Sequence, residues 1–311
     1  NSHYIVGVES SPVSAYHSLF ASIKEPLLYT APWWLDATCG HEGWNAIIRR
    51  DSEGLPLAAL PYQYTRIRGL SAVITPPFTQ WISLLGGRES QVQLSLALLA
   101  ELPKSSILDL SLRPDNTLRI PESTFPISLK YSFVIAPAAK QEDQRKGYNE
   151  GLRRNIRQAE KQYSVETSSD IAVFLSLCRQ SYEQQKMKPP SWLDIVVTRI
   201  HSGLTSHQCG ILTMASLNGK TIAGILTAWD HSTSYYLAGG RTGDEQGASA
   251  HALLLDHAIR ASHDRGTVFD FEGSMHPGIA NFFHSFGAVP SAYWHIRKYR
   301  GAGKLWSLLS K

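Results

Sequence analysis

The stretch ILTMASLNGKTIAGILTAWDHSTSYYLAGGRTGDEQGASAHALLLDHAIRASHDRGTVFDFEGSMHPGIANFFHSFG, residues 211–287, decides the fold of this chain. The Asn218–Gly219 pair lies between two apolar runs, which predicts a β-hairpin. A third strand, Tyr235–Ala238, leads into a glycine-rich loop and an apolar helix. The strand after that helix would direct Asp270 and Glu272 to one face, because side chains alternate along a strand. The segment therefore predicts a functional site at the edge of a sheet.

The composition favours a soluble globular protein with two domains. The chain has 311 residues, of which 43% are apolar and 18% are charged, and its length favours two domains. No apolar run reaches the roughly 20 residues that a bilayer-spanning helix needs, so no integral membrane association is expected. The formal net charge of +4 suits an anionic ligand. It is too small to predict DNA binding without a localised basic patch.

The cysteines and histidines predict neither disulfides nor a metal site. Cys39, Cys178 and Cys209 are odd in number and widely spaced, so we expect free thiols and a cytoplasmic location. The histidines of the apolar helix recur every six residues and would not share one face, and no H-x-x-x-H pattern occurs. A G-x-S-x-G motif is also absent, which leaves serine-hydrolase chemistry without support.

The two halves of the chain repeat one plan. In the first half, strand-like runs at Asn45–Arg50 and Leu57–Tyr64 precede a helical run, Gln93–Leu102, and a further strand. The second half follows the same order of hairpin, helix and strand, which aligns Asp109 with Asp270. The repeat predicts two related units.

A polar stretch, residues 138–148, separates the halves. We therefore predict a mixed α/β fold with domains at residues 1–140 and 141–311. The first half has no carboxylate at the position equivalent to Glu272, which indicates that any working site lies in the second half.

A basic amphipathic helix begins the second half. Apolar residues recur at helical spacing, and the other side of the helix carries Arg153, Arg154 and Arg157. The planar fork of arginine suits bidentate contact with phosphate or carboxylate. The alternative is a solvated helix face on which Glu150 and Glu160 neutralise the arginines.

The glycine-rich loop, residues 239–250, opens a helix that is predicted to begin near His251. Small residues let a ligand approach backbone N–H groups, and a helix N-terminus favours anions. The spacing is neither G-x-G-x-x-G nor the Walker pattern. Asp244 and Glu245 would repel a phosphate if they faced it, so a plain connector is the alternative.

Asp270 and Glu272 are candidate proton carriers. A partly desolvated carboxylate beside Phe269 and Phe271 has a raised pKa and accepts a proton near neutral pH. The alternative, which fits Asp270 better, is a structural carboxylate that caps the turn at Gly273–Ser274.

The first half contains one candidate groove for a ligand. The loop TPPFTQW, residues 75–81, is stiff and aromatic, and Trp81 could line a passage for an acceptor. Packing between the halves is the more common role of such residues.

The second half resembles the GNAT-type acyltransferase fold as it occurs in FemAB-like aminoacyl transferases and BioF2-like acetyltransferase-domain proteins. The segments that carry the resemblance are LRRNIRQAEK (152–161), LNGKTIAGIL (217–226), YYLAGG (235–240), ALLLDHAIRASHDRGTVFDFEGS (252–274) and GIANFFHSFGA (278–288). In the first half, APWWLDATCG (31–40), ALP (59–61) and TPPFTQW resemble the opening domain of that family.

The resemblance implies two tandem GNAT-like domains, each a mostly antiparallel mixed sheet flanked by helices. It implies transfer of an acyl group to an amine acceptor, a small molecule or an envelope precursor, in cell-envelope or polysaccharide metabolism. The first domain would be degenerate and provide the acceptor groove. The second domain would hold the acyl donor.

The resemblance also implies the residues of the site. The co-substrate, acyl-CoA or acetyl-CoA, would contact Leu237, Ala238, Gly239, Arg241, Gly243, Gly247, Ala248 and Ser249. The acceptor would contact Arg153, Arg154, Arg157, Trp81, Asp270 and Ser274. Glu272 would remove a proton from the acceptor amine, and Tyr236 or Tyr182 would donate one. No metal is implied.

Two departures from the family pattern keep other functions open. FemAB-like sequences commonly place lysine after the first Phe of the closing helix, where this chain has Phe283. That residue counts against a FemAB-like transferase that uses charged tRNA and acts on a peptidoglycan precursor. The GNAT pyrophosphate loop, Q/R-x-x-G-x-G/A, has Asp244 where glycine is expected, which counts against acetyl-CoA. The remaining alternative is a catalytically silent protein that binds an anionic glycan or peptide precursor.

Overall fold

The fold is that of a computed structural model, which describes residues 11–86, 97–113, 126–137, 141–273 and 277–304. Two compact units divide the chain: Asn1–Ser128 with Trp294–Lys311, and Leu129–Tyr293.

The first unit contains a mixed sheet and short helices. Its helices are α1 (Pro12–Ser22) and α2 (Pro32–Cys39), with a 3₁₀ turn at Leu28–Thr30. Its strands are β1 (Trp44–Arg50), β2 (Pro56–Ile67), β3 (Leu70–Ile74), β4 (Leu85–Gly86) and β5 (Ile107–Leu112). Strands β1, β2 and β3 pair antiparallel, and β3 runs parallel to β5. The hairpin predicted for this half is confirmed. Of the predicted helix Gln93–Leu102, residues 97–100 are helical and 93–96 lie outside the described residues.

The second unit contains a larger mixed sheet. Its strands are β6 (Ile127–Ile135), β7 (Ser164–Thr167), β8 (Gly210–Leu217), β9 (Lys220–Trp229), β10 (Thr233–Arg241) and β11 (Val268–Asp270), in the order β6-β11-β10-β9-β8-β7. Its helices are α3 (Glu150–Gln162), α4 (Ile171–Gln184), α5 (Leu193–Ser206), α6 (Glu245–Asp264) and α7 (Pro277–Ser285), after a 3₁₀ segment at Gln141–Gly147. Strands β10 and β11 pair parallel, whereas the other pairs in this unit are antiparallel. The predicted mixed α/β class is confirmed.

The bounds of the units follow strand pairing and differ from a division at residue 140. Strand β6 pairs with β11 through Ile135 and Val134, so it groups with the second unit. Strand β12 (Val289–Tyr299) begins in the second unit, but from Trp294 onward it pairs with β5 of the first unit. Backbone hydrogen bonds between strands distant in sequence therefore assign these segments.

The hairpin predicted at Asn218–Gly219 is confirmed. Leu217 pairs with Lys220 across the turn, and the φ angles of Asn218 and Gly219 are 50° and 79°. Two positive φ angles are what a type I′ turn requires, and that turn matches the twist of the flanking strands.

Helices cover both faces of β10. A Cβ atom added at Gly239 would lie 2.6 Å from the Nε2 atom of His251 in α6. A Cβ atom at Gly240 would lie 2.3 Å from the backbone nitrogen of Cys178 in α4. Because successive residues of a strand point to opposite faces, α6 and α4 lie on opposite sides of β10. The absence of a side chain at Gly240 allows the close approach of α4.

An aromatic cluster explains why Phe283 stands where FemAB-like sequences commonly have lysine. The ring of Phe283 stacks on Phe271 with centroids 4.5 Å apart, and Phe286 packs on the same ring at 5.6 Å. Phe283 is buried. A lysine ammonium at this position would lose its hydration among apolar rings, at a large cost in free energy.

An ion-pair cluster ties the 3₁₀ segment to α6. The carboxylate of Asp256 is fully buried and accepts hydrogen bonds from Nε and Nη2 of Arg145 at 2.9 and 2.5 Å. The same Nη2 atom lies 2.6 Å from Oε1 of Glu160. Arg260 supplies a further cation, 3.0 Å from Asp256. Two guanidinium groups thus compensate one buried carboxylate.

Candidate functional site

Strand β10 parts from β11 in the middle of its length. The parallel pairing runs from Thr233 opposite Val268 to Tyr235 opposite Asp270, where β11 ends. Strand β10 continues to Arg241, and among the described residues this part of it pairs with β9 alone, on its other side. The register with β9 shifts between Tyr236 and Ala238, which makes this point a β-bulge. One edge of β10 is therefore open beyond Tyr235.

The backbone of the open edge has a defined orientation. The N–H of Thr242, directly after β10, donates to the carbonyl of Ile222 in β9, at 2.9 Å. Because residues of an antiparallel strand alternate in the neighbour they bond, the backbone groups of Gly239 and Arg241 face the open side. The N–H of Arg241 donates to Oγ of Ser181 at 3.1 Å, and its carbonyl accepts from Nε2 of Gln184 at 3.3 Å. The end of α4 therefore closes the far end of the opening.

A tyrosine–histidine pair lies beside the bulge. The hydroxyl oxygen of Tyr236 is 3.0 Å from Nε2 of His251, and the ring of Phe282 stacks on His251. Burial, helped by the positive charge of Arg241, lowers the pKa of His251 to about 4, so the ring is neutral. Burial raises the pKa of Tyr236. The pair is therefore neutral: the phenol keeps its proton, and a neutral imidazole lies within hydrogen-bond distance of it.

Gly239 is the close neighbour of this pair. A Cβ atom there would lie 2.1 Å from the hydroxyl oxygen of Tyr236. The missing side chain thus leaves room for the hydroxyl beside the open strand. Tyr182, the other predicted proton donor, lies near the end of α4, next to Ser181. Burial raises its pKa, with a further contribution from Cys178.

Asp270 is engaged in local hydrogen bonds. Its Oδ1 atom accepts from the hydroxyl of Ser132 in β6 and, at 2.9 Å, from the backbone N–H of Glu272. Burial raises the pKa of Asp270 to about 6, although both hydrogen bonds act in the opposite direction. The carboxylate therefore caps the turn that follows β11 and titrates close to neutral pH.

Glu272 lies in a left-handed turn rather than in a strand. Its φ angle is 64° and that of Gly273 is 65°. The prediction that one strand carries both carboxylates on one face is therefore wrong, because the extended backbone ends at Asp270. A left-handed conformation costs a residue with a side chain about 1–3 kcal/mol and is concentrated at functional sites. Burial raises the pKa of Glu272 well above its usual range.

Tyr293 of β12 is a site residue that sequence reasoning missed. Burial and the negative charges of Glu272 and Asp270 together raise its pKa to about 12. Both carboxylates therefore lie close enough to the phenol to act on it electrostatically. Its position depends on the placement of the last strand, and the pattern around residue 293 indicates only a strand.

The helix that follows the loop begins at Glu245, six residues before His251, where the sequence predicted its start. Asp244 is its N-cap: Oδ1 accepts from the N–H of Gly247 at 2.8 Å and from the hydroxyl of Thr242 at 2.7 Å. These hydrogen bonds lower the pKa of Asp244. An aspartate before a helical run is a known N-cap signal, so the sequence did contain the sign of this earlier start.

The N-terminus of α6 therefore carries its own anion. Gly247, Ala248 and Ser249 lie in the first turns of α6, and a Cβ atom at Gly243 would lie 3.0 Å from Nε2 of Gln184. The Asp244 carboxylate occupies one N–H group that an incoming phosphate would use and repels a second negative charge. Asp244 therefore competes with any phosphate for the predicted anion site at this helix end.

The basic helix adjoins α6. Asn155 Oδ1 of α3 accepts a hydrogen bond from the hydroxyl of Ser249 in α6 at 2.5 Å. Arg154 and Arg157 are exposed and Arg153 is partly exposed. Ion pairs among the described residues do not involve these arginines, and Glu160 is instead engaged by Arg145. The positive charges of these three arginines are therefore not neutralised by Glu160.

Two further predicted residues are Trp81 and Ser274. Trp81 is buried in the first unit, with its ring edge-on to Tyr29 at 5.1 Å and the guanidinium of Arg113 over it at 5.4 Å. A role for Trp81 in acceptor binding stays a prediction. Ser274 lies outside the described residues. In the described part of the chain, no group of His, Cys, Asp and Glu side chains is placed to hold a metal ion.

The partly protonated state of Asp270 predicts how folding stability depends on pH. Its pKa is about 6 in the folded protein against 3.8 for an ordinary aspartate. The stability that protonated Asp270 provides is therefore complete below about pH 4 and is lost as pH rises through about 6. We expect wild type to lose about 2–3 kcal/mol more between pH 4 and pH 7 than Asp270→Asn.

Urea unfolding of both proteins across this pH range tests the expectation. Asparagine keeps an oxygen for Ser132 and Glu272 but does not ionise, so the difference between the two curves isolates this group. Parallel stability curves would contradict a raised pKa at Asp270.

Comparisons with known proteins identify the fold. Residues 144–282 match a family described as acetyltransferase (GNAT) domain. The solved structures that resemble the chain include FemX, at 12% identity and a TM-score of 0.66, over 96% of this chain and 98% of that one. L-PGS from Bacillus licheniformis matches at 11% identity and a TM-score of 0.57, over 97% of each chain. A tandem GNAT protein from the clavulanic acid biosynthesis pathway matches at 12% identity and a TM-score of 0.50, over 93% and 95%.

Curated proteins include no match to this chain. At these low identities the solved structures show the fold alone. Together with the family match, they confirm the tandem GNAT-like architecture and the resemblance to FemAB-like proteins. Within the described residues, no helix has both the length and the apolar character needed to cross a membrane.

Proposed function

Because residues 144–282 form a GNAT-type acetyltransferase domain in a chain with the fold of FemX, we propose that this protein is an N-acyltransferase. It moves an acyl group from an activated thioester or ester to the nitrogen of an amine acceptor. The observation that carries the proposal is the parting of β10 from β11 beside the Tyr236–His251 pair. Cell-envelope or polysaccharide metabolism and a cytoplasmic location stay predictions.

The donor carbonyl lies at the open edge of β10 in this proposal. Backbone groups at Gly239 face that edge and can bond the amide-rich arm of a thioester or the carbonyl oxygen itself. An oxygen that gains negative charge in the transition state is stabilised by such fixed N–H donors, which are already oriented before the reaction. The absent side chain of Gly239 lets the Tyr236 hydroxyl lie beside the position proposed for the donor.

Glu272 is the proposed base. Its raised pKa makes it a better proton acceptor near neutral pH than an ordinary glutamate. It removes the proton from the acceptor nitrogen as the new C–N bond forms. Tyr293, whose pKa is raised by the charge of Glu272, is proposed to hold that carboxylate in place through a hydrogen bond.

Tyr236 is the proposed acid. Its raised pKa keeps the hydroxyl protonated, so it can give its proton to the leaving sulfur or oxygen as the bond from that atom to the acyl carbon breaks. The phenolate oxygen then regains a proton from solvent, and neutral His251, 3.0 Å away, holds the tyrosine hydroxyl in place through a hydrogen bond. Tyr182 is the alternative acid from the end of α4.

Acyl-CoA remains the favoured donor, and calorimetry is its direct test. Acetyl-CoA, longer acyl-CoAs and free CoA are titrated into the intact protein. We expect saturable heat with at least one acyl-CoA and weaker heat with free CoA. Failure of all three classes to bind would exclude a CoA donor. Tight binding without amide formation for any amine would favour a catalytically silent protein.

Aminoacyl-tRNA is the second candidate donor, and two observations favour it. Asp244 already caps the N-terminus of α6, where a CoA pyrophosphate would be expected. The exposed arginines of α3 adjoin the same helix through Asn155 and can bind a phosphate backbone. Filter binding of charged tRNA over a salt series separates the two donors, since binding to a phosphate backbone weakens steeply with salt.

The substitution Asp244→Asn should show whether the phosphates of CoA bind at the start of α6 or elsewhere. Asparagine keeps the oxygen that accepts from Gly247 and Thr242 but removes the negative charge. If phosphates bind at the start of α6, CoA affinity should rise about two- to fivefold, the usual range for one charge at a helix end. Calorimetry measures the change.

Asp264→Asn is the matched control, because it removes the same charge at the opposite end of α6. It should leave CoA affinity unchanged. An Asp244→Asn protein that binds CoA no more tightly than wild type would place the phosphates away from this helix end.

A further inference from the structure

Large exposed apolar side chains concentrate in the connection between α4 and α5. Met187, Trp192 and Ile195 are 54%, 40% and 52% exposed. Lys186 and Lys188 are exposed on either side of Met187. Single exposed apolar residues are ordinary on protein surfaces, whereas a cluster of large ones marks an interaction site.

The fold holds two of these side chains outward on one side of α5. Leu193 and Val196 are buried and fix the inner face of the helix. Trp192 occupies the N-cap position of the helix, and Ile195 lies three residues further along, so the two share one exposed side. Prolines 189 and 190 stiffen the connection before them. The apolar surface is therefore part of an ordered helix start.

The charge around this surface is positive. Lys186, Lys188 and Arg199 are exposed, and Arg199 follows Ile195 by one helical turn. Asp194 is paired with Arg179 of α4 at 2.6 Å, so its negative charge is compensated. Glu183 at the end of α4 is the remaining exposed acidic group of the segment. The surface thus combines a tryptophan, two aliphatic side chains and an excess of cations.

We propose that the segment formed by residues 186–195 docks this protein on an anionic lipid surface. Lysine is depleted at protein–protein interfaces. Tryptophan and aliphatic side chains flanked by lysine are instead typical of segments that lie at the boundary between headgroups and acyl chains. The lysines contact anionic headgroups, while Met187, Trp192 and Ile195 enter the outer acyl region.

This docking would bring the open edge of β10 close to the lipid surface. The segment directly follows the end of α4, where Ser181 and Gln184 bond the backbone of Arg241. An acceptor or donor held in the membrane would then be presented next to the opening. The docking itself does not depend on the proposed acyl transfer and is tested without it.

Vesicle flotation tests the docking. The intact protein is mixed with vesicles of phosphatidylcholine alone or of phosphatidylcholine with phosphatidylglycerol. We expect it to float with the anionic vesicles, and binding should weaken as salt is raised. Lys186→Gln with Lys188→Gln should weaken binding about fivefold per lysine. Trp192→Ser with Ile195→Ser should weaken it about tenfold or more, because the apolar burial is lost.

The control is Leu55→Ser, which removes an exposed apolar side chain from a turn of the first unit. It should float as wild type does. Vesicles with brominated acyl chains should quench wild-type fluorescence more than that of Trp192→Phe. Equal flotation of the Trp192→Ser, Ile195→Ser protein and wild type would overturn the proposal, as would no binding to anionic vesicles. Self-association of wild type that this double variant abolishes, without vesicle binding, would assign the surface to a second copy instead.

Discussion

Glutamine in place of Glu272 is expected to lower kcat by about 10²–10⁴-fold, the usual contribution of a positioned proton acceptor. The amide has nearly the same shape and can keep the same left-handed backbone, but it cannot accept the acceptor's proton. The free energy of unfolding should stay the same or rise, because burial disfavours the charged carboxylate. Amide formation from the donor identified by binding measures the effect.

The pH dependence of the same variant separates a proton acceptor from a structural residue. A base must be deprotonated to act, so wild-type activity should rise as pH increases through the raised pKa of Glu272. This limb should be missing in Glu272→Gln. The control, Glu166→Gln, makes the same change at an exposed position of β7 and should alter neither turnover nor its pH profile. Unchanged turnover of Glu272→Gln would remove this residue from the mechanism.

Removal of the Arg145 guanidinium is expected to destabilise the fold by about 3 kcal/mol. Arg145→Ala takes away two hydrogen bonds from the fully buried carboxylate of Asp256 and leaves Arg260 as its remaining cation. Breaking a buried ion pair by deleting one partner is costly, because the other charge remains without hydration. Urea unfolding monitored by circular dichroism measures the loss.

Arg179→Ala is the matched control for this prediction. Arg179 pairs with Asp194 at 2.6 Å, close to the distances in the Arg145 cluster, but the side chains of both residues are exposed. An exposed pair contributes no more than about 1 kcal/mol. If the two variants lose equal stability, Arg260 alone compensates Asp256 and the Arg145 contacts add nothing measurable.

Local elements of the fold could be predicted because their determinants are neighbours in the chain. The type I′ hairpin follows from Asn218 and Gly219, which adopt positive φ angles with little cost. Helix α3 follows from the spacing of its apolar residues, and the structure shows that Asn149 caps its N-terminus. The predicted start of α6 near His251 is too late, because Asp244 caps the helix and its first residue is therefore Glu245.

The arrangement of the site could be predicted only in part. The sequence predicts functional groups at β10 and at the two carboxylates, and the role of each residue stays a prediction. The prediction that Glu272 continues the strand is wrong, because the chain leaves the extended conformation after Asp270. A site role for Tyr293 could not be predicted, because the carboxylates that act on it, Glu272 and Asp270, are more than twenty positions away in the sequence.

The sequence alone determined the hairpin, the amphipathic helices, the mixed α/β class and the resemblance to GNAT-type proteins. Each of these depends on backbone preferences and on apolar spacing over a few residues. Only the tertiary structure decided that β11 stops at Asp270, that Tyr236 meets His251, and that Arg145 compensates Asp256 across 111 positions of sequence. The physical reason is that strand pairing, desolvation and charge compensation depend on every group within a few ångströms, whatever its place in the chain.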